Sequence, residues 1–136
     1  HIAEALWRML FAVNDAGGHQ AGDRMLRTLA ITMAKELRGG DDLFRVGGDE
    51  FAAVLVGISD AQQAFEVAER VRGAAHRAGA SVSIGIATSL GEELDCDELF
   101  RRADDALYRA KRNGRDASVL WEPPLPSPLD GPLATR

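Results

Sequence analysis

Two short apolar runs, Leu43–Val46 and Phe51–Val56, stand on either side of Gly47-Gly48-Asp49-Glu50. Runs of this length, rich in Val, Phe and Leu, read as β-strands, and a glycine pair between them reads as the turn of a hairpin. The turn accounts for the glycines but not for two neighbouring carboxylates, which repel unless a cation, a proton or full solvation relieves them. From the residues alone two readings stay open. One is a solvated turn; the other is a divalent-metal site in which the glycines let a phosphate approach the backbone.

Hydrophobic periodicity lays out the rest of the chain. "HIAEALWRML" (1–10) sets Ile2, Leu6, Met9 and Leu10 on one helical face and predicts an amphipathic helix. The turn-rich "NDAGGHQAGD" (14–23) opens into a predicted helix over 20–37, with Met25, Leu26, Leu29, Ala30, Met33, Ala34 and Leu37 inward and Gly39-Gly40 as its stop. A second helix is expected from Ser59, as N-cap, through Val67, Ala68, Val71 and Ala75. "ASVSIGIAT" (80–88) predicts a largely buried strand. "CDELFRRADDALYRAKRNG" (96–114) predicts a helix with Leu99, Phe100, Ala103, Ala106, Leu107 and Ala110 inward and Gly114 as its stop, and Ser118–Trp121 a short last strand. All five prolines follow Glu122, so one domain is expected over 1–121 and an extended tail or linker over 122–136.

With 136 residues, 46% of them apolar, the chain can bury an adequate core as a single globular domain. A net charge of -5 excludes an electrostatic binder of nucleic acid or of an anionic membrane surface, so a phosphate ligand must be held locally. The one cysteine, Cys96, excludes an intrachain disulfide and suits a reducing compartment; a cytoplasmic location is expected. No apolar run approaches the roughly 20 residues of a membrane span.

"RVGGDEF" resembles the signature hairpin of the GGDEF domain family, the diguanylate cyclases. "NDAGGHQAGD", "RGGD", "SVSIGIAT" and "RADDALYRAKRNGRD" resemble four further blocks of that family in order, so the likeness runs from Asn14 to Asp116. It implies an α+β nucleotide-cyclase palm with a ferredoxin-like core, its mostly antiparallel central sheet flanked by helices. It also implies the reaction: two GTP condense to cyclic di-GMP with release of pyrophosphate, with Mg²⁺ or Mn²⁺ required and two domains facing each other as a homodimer.

The resemblance assigns roles residue by residue. Gly47 and Gly48 match the close-approach positions for the GTP phosphates, and Asp49 and Glu50 the acids that bind metal and help deprotonate the attacking ribose hydroxyl. Asn14 and Asp23 match residues that hydrogen-bond the guanine edge, which suits their donor and acceptor inventory. Asp23 also suits a helix N-terminus. Lys111 and Arg115 match a basic pair on the triphosphate, and equally suit the C-terminal end of a helix dipole. His19 matches a structural residue at a helix entrance. Arg38 and Asp41 match an Arg-x-x-Asp site at which the product inhibits, and Arg70 a second arginine which that site borrows, often from a neighbouring subunit; a helix-end salt bridge is the plainer alternative.

One block departs from the family pattern. The family carries a buried strand ending in Asp-x-Asp before the Asn-Asp turn, whereas "ALWRMLFAV" holds no acid. Without gaps, Leu6 and Arg8 fall where the two acids are expected. The reading of 1–10 as a helix implies instead that the central strand is missing between Leu10 and Phe11, and that the first-strand metal ligand is missing with it. An alternative function follows: a catalytically inactive domain that serves as a receptor for cyclic di-GMP or GTP.

Overall fold

The strand at the centre of the sheet is formed by residues that the apolar pattern assigned to a helix. The computed structural model describes residues 6–14, 22–89 and 94–124. In it, β1 (Trp7–Val13) lies between two antiparallel neighbours, β3 (Glu50–Leu55) and β4 (Val82–Thr88). Leu10 pairs with Ala52 and Gly85, and Phe11 with Phe51 and Ile84, so the register runs through both residues without a break. The central strand is therefore present, which corrects both the helix expected over 1–10, as far as residues 7–10, and the loss expected between Leu10 and Phe11. Trp7, Met9, Phe11 and Val13 enter one core cluster while Leu10 and Ala12 enter the other. A segment buried on both faces is apolar throughout, and period alone does not separate it from a buried helix.

Seven further elements complete the order: α1 (Asp23–Ala34), β2 (Asp42–Gly47), β3, α2 (Ala61–Arg77), β4, α3 (Cys96–Arg112) and β5 (Ser118–Leu120). The sheet order is β2-β3-β1-β4-β5, antiparallel except for the parallel β4–β5 pair. The first six elements are a βαββαβ unit with strands in ferredoxin-like order, and α3 with β5 extends it. Side chains of α1 and α2 share the larger core with one face of the sheet; Leu99, Ala103 and Leu107 of α3 cover the other. The α+β palm with a mostly antiparallel sheet is thus the observed fold.

Local signals were followed with adjustments. α1 buries Leu26, Leu29 and Met33 but ends at Ala34, short of the expected Leu37, and Met25 is 46% exposed. The cap of α2 is Asp60, whose carboxylate accepts from the Gln63 amide at 2.9 Å, while the predicted cap Ser59 donates to the Gln63 side chain. Asp95 caps α3 in the same manner, and Gly114 at φ +108° ends that segment. Trp121 holds the exit of the chain: its amide donates to the Ile86 carbonyl, its indole N–H to Asp105, and the Arg102 guanidinium lies 4.2 Å from its ring centroid. The helix start at Gln20, His19 and the tail beyond residue 124 lie outside the described residues. Among the described residues no helix is long and apolar enough to cross a membrane.

At Gly85, inside the "SIGIA" strand, the sheet lies directly against the backbone of α3. A Cβ there would collide with the Ala103 carbonyl oxygen and with the backbone of Leu107. Backbone cannot move aside as a side chain can, so α3 would have to lift. Gly85→Ala is expected to destabilise the fold by about 1–3 kcal/mol, read as a lower urea midpoint at unchanged slope; an unchanged midpoint would contradict this packing.

Candidate active site

One end of the sheet gathers most of the polar residues singled out in the sequence. There β1 ends, β3, β4 and β5 begin, and the Gly47–Glu50 turn closes. The turn is fastened to β1 by its backbone, since the Val13 amide donates to the Asp49 carbonyl at 3.0 Å and Ala12 pairs with Glu50. Gly48 has φ +54°, a left-handed turn position that glycine takes without strain. Gly47 has no such requirement, and a Cβ on it would meet no atom within 4 Å. Folding therefore does not demand a glycine at Gly47, which leaves room for an approaching ligand.

Asp49 is exposed and Glu50 half-buried. Among the described residues neither side chain has a hydrogen bond or an ion pair, although carboxylates elsewhere in the fold are widely paired. No group of three or more His, Cys, Asp or Glu side chains converges to hold a metal among the described residues. β1 supplies no acid. Leu6 and Arg8 stand at its far end, where Arg8 pairs with Val54, so neither neighbours the turn. The position beside the turn belongs to Ala12, Val13 and Asn14, and the next acid, Asp15, lies outside the described residues. Two hard oxygen donors without structural partners suit Mg²⁺, which commonly takes one or two carboxylates and completes its octahedron with water and substrate phosphate.

Asn14 is fixed at the end of β1. Its Nδ2 donates to Ser81 Oγ at 2.8 Å and its Oδ1 accepts from Ser83 Oγ at 3.1 Å, leaving the amide one N–H and one lone pair. Asp23 opens α1 with its side chain 72% exposed. It meets Arg45, whose Nη1 lies 3.2 Å from Asp23 Oδ1 and whose Nε donates to the Gly48 carbonyl at 2.8 Å. Arg45 thus ties the glycine turn to the start of α1. Sequence reasoning passed over it, though it stands inside the "RVGGDEF" block. Lys111, in the last turn of α3, and Arg115, just beyond it, make no ion pair among the described residues.

Arg38, Asp41 and Arg70 lie toward the other end of the six-residue strand β2, whose length is roughly 17 Å at about 3.3 Å rise per step. The Asp41 carboxylate is engaged: one oxygen accepts from the Arg38 amide at 2.9 Å and the other from the Val56 amide at 3.0 Å. Arg38 is exposed, while Arg70 donates to the Glu36 carbonyl at 3.4 Å, beside the same helix end.

A profile of the family "Diguanylate cyclase, GGDEF domain" matches residues 10–117. The chain belongs to the GGDEF domain family. It is 43% identical over 110 residues to diguanylate cyclase DgcM of Escherichia coli, covering 76% of this chain and 26% of that protein. It is 34% identical over 120 residues to the response regulator PleD of Caulobacter vibrioides, covering 79% of this chain and 26% of that one. The chain thus spans about a quarter of the length of the curated relatives it matches. In structure it is similar to the isolated GGDEF domain of YfiN from Pseudomonas aeruginosa, with TM-score 0.76 at 30% identity over 88% of this chain and 78% of the other. The GGDEF domain of DgcB from Caulobacter crescentus, solved in complex with c-di-GMP, matches with TM-score 0.72 at 25% identity over 86% of this chain and 78% of that one.

Behind the site of this GGDEF domain lies a second polar group that the sequence did not announce. Asp116 accepts from Arg72 at 3.1 Å and meets His76 Nε2 at 2.8 Å, while Arg72 also grips Glu69. The His76 contact, the Arg72 hydrogen bond and their charges hold the Asp116 carboxyl below its ordinary value of 3.8. A depressed folded-state value stabilises the fold fully above the ordinary carboxylate range, and that stability is lost as pH falls through the depressed value. Asp116→Asn should therefore flatten the acid limb of the stability profile below about pH 4, measured by thermal unfolding from pH 2 to 6. An unaltered slope in that range would refute this ion-pair account.

Proposed function

We propose that this domain condenses two GTP molecules into cyclic di-GMP, each ribose hydroxyl attacking the α-phosphorus of the other nucleotide as pyrophosphate departs. The observation that carries the reading is the GGDE turn itself: backbone bonds fasten it to β1 while neither of its carboxylates is paired among the described residues. Asp49 and Glu50 would hold a divalent cation, Mg²⁺ or Mn²⁺, whose positive charge would offset the negative charge of phosphoryl transfer. Glu50 takes part in removing the ribose hydroxyl proton. Gly47 and Gly48 give the phosphates access to the backbone, Lys111 and Arg115 carry their charge, and the spare donor and acceptor of Asn14 with the exposed Asp23 carboxylate read the guanine edge.

One domain holds one GTP, so turnover needs two copies face to face as a homodimer. The folded unit extends through Trp121, with the proline-rich segment from 122 as a tail or linker, and a domain that consumes GTP would work in the cytoplasm. Incubation with GTP and Mg²⁺, with product read by chromatography and mass, tests the chemistry. Glu50→Ala is expected to lower turnover at least ~100-fold with an unchanged circular dichroism spectrum. Retained turnover in that variant would remove Glu50 from its role.

Product inhibition is proposed at Arg38, Asp41 and Arg70, with the arginines taking phosphate or the Hoogsteen edge of guanine. Because Asp41 also pins the backbone of Arg38 and Val56, Arg38 is the cleaner probe. Arg38→Ala should raise the cyclic di-GMP concentration for half-inhibition by roughly 10-fold or more. Inhibition that is indifferent to this change would place the product elsewhere.

The absence of any carboxylate from β1 favours a second reading, a silent domain that binds cyclic di-GMP or GTP as a receptor. No product from GTP, together with Arg38-dependent binding of cyclic di-GMP, would select it.

A further inference from the structure

Arg115 and Asp116 both adopt left-handed backbone, at φ 65° and 48°, although neither is glycine. Left-handed backbone is unfavourable for residues that carry a Cβ, so the surrounding contacts must impose the conformation. They are unusually complete. The Arg115 amide donates to the Ala110 carbonyl at 3.0 Å and the Asp116 amide to Ser83 Oγ at 3.1 Å. Arg72 Nη1 donates to the Asp116 carbonyl at 3.2 Å and to its Oδ1 at 3.1 Å, and His76 Nε2 meets its Oδ2 at 2.8 Å. One residue, Asp116, is thereby bound through its amide, its carbonyl and both carboxylate oxygens.

The same contacts reach the nucleotide site. Ser83 is fully buried; while its Oγ accepts from the Asp116 amide, its hydroxyl donates to Asn14 Oδ1, and Asn14 in turn donates to Ser81. A chain of hydrogen bonds therefore runs from α2 through Asp116 and Ser83 to the end of β1, beside the GGDE turn. Arg72 is itself held by Glu69 at 2.8 Å, and Glu69 accepts from Ser118 at 2.8 Å, which closes the clamp on the start of β5.

We infer that Asp116 is a positioning residue, clamped by Arg72 and His76, that fixes the left-handed turn presenting Arg115 to the nucleotide phosphates and registers that turn, through Ser83, against Asn14. The inference rests on the proposed role of Arg115 and adds how its place is set. Asp116 touches no substrate; it acts through its neighbour. An amide at this position keeps the clamp, since its oxygen still accepts from Arg72 and its NH₂ can donate to a neutral His76 ring.

A double-mutant cycle tests this with Arg115→Ala, Asp116→Ala and the pair. The readouts are KM and kcat for GTP and equilibrium binding of an α,β-methylene GTP analogue, which cannot release pyrophosphate and so reports on a silent domain as well. Arg115→Ala and Asp116→Ala should each weaken nucleotide affinity about 10-fold, with a smaller change in kcat. The pair should be no weaker than Arg115→Ala alone, and Asp116→Asn should recover affinity to within about 2-fold of the parent. Should Asp116→Ala fail to fold, His76→Ala removes one exposed arm of the clamp, and its smaller loss should likewise vanish in the Arg115→Ala background. Additive losses, or full affinity in Asp116→Ala beside a weakened Arg115→Ala, would overturn the positioning inference alone. Full affinity in Arg115→Ala would overturn the role of Arg115 and the inference with it.

Discussion

The central strand β1 positions the polar end of the sheet, where the GGDE turn and Asn14 stand. Six of its seven residues are buried, with Arg8 half-buried, both its edges are paired, and the GGDE turn, Asn14 and the start of β4 are all bonded to its end. Such a strand contributes little chemistry of its own. Its apolar side chains instead anchor the end of the sheet in the core, so that the backbone of the exposed turn has a fixed attachment while its carboxylates have no partner among the described residues. Unpaired acids on a mobile loop would simply solvate; here the backbone bond from Val13 to Asp49 holds them in place.

The hairpin of β2 and β3 joins two regions of different character. At the turn, Arg45 binds the Gly48 carbonyl and Asp23, which ties the glycine turn to the start of α1. At the opposite end, Asp41 fastens the loop after α1 to Val56, beyond β3. A ligand on the exposed Arg38 would therefore load the base of the same hairpin whose tip carries Asp49 and Glu50. This is a mechanical connection of about six residues, and it gives the proposed inhibitory and catalytic groups one shared element.

Legibility differed by residue. The GGDE turn, the Gly114 stop of α3 and the inward faces of α2 and α3 were readable because their signals are local: a glycine pair, a glycine after a helix, apolar residues at three- and four-residue spacing; the cap of α2 was placed one residue early, at Ser59 instead of Asp60. Trp7–Val13 was misread because burial on two faces erases the alternation that marks a strand, leaving an apolar run compatible with a helix. Asp41 was legible as a member of the Arg-x-x-Asp block, yet its bond to the Val56 amide joins residues fifteen apart and left no trace in the motif. Arg45 and Asp116 went unnoticed for the same reason, since Asp23 lies twenty-two residues from Arg45, and His76 and Arg72 lie forty and forty-four residues from Asp116.

By itself the sequence determined the family, the order of most elements and the identity of the acids, because these depend on residue type and short-range spacing. Tertiary structure decided which strand occupies the centre, that Leu6 and Arg8 stand far from the turn, and that among the described residues Asp49 and Glu50 are unpaired while Asp41 and Asp116 are bonded. Pairing of a carboxylate depends on what the fold brings within about 3 Å of it, and no periodicity along a chain encodes that distance.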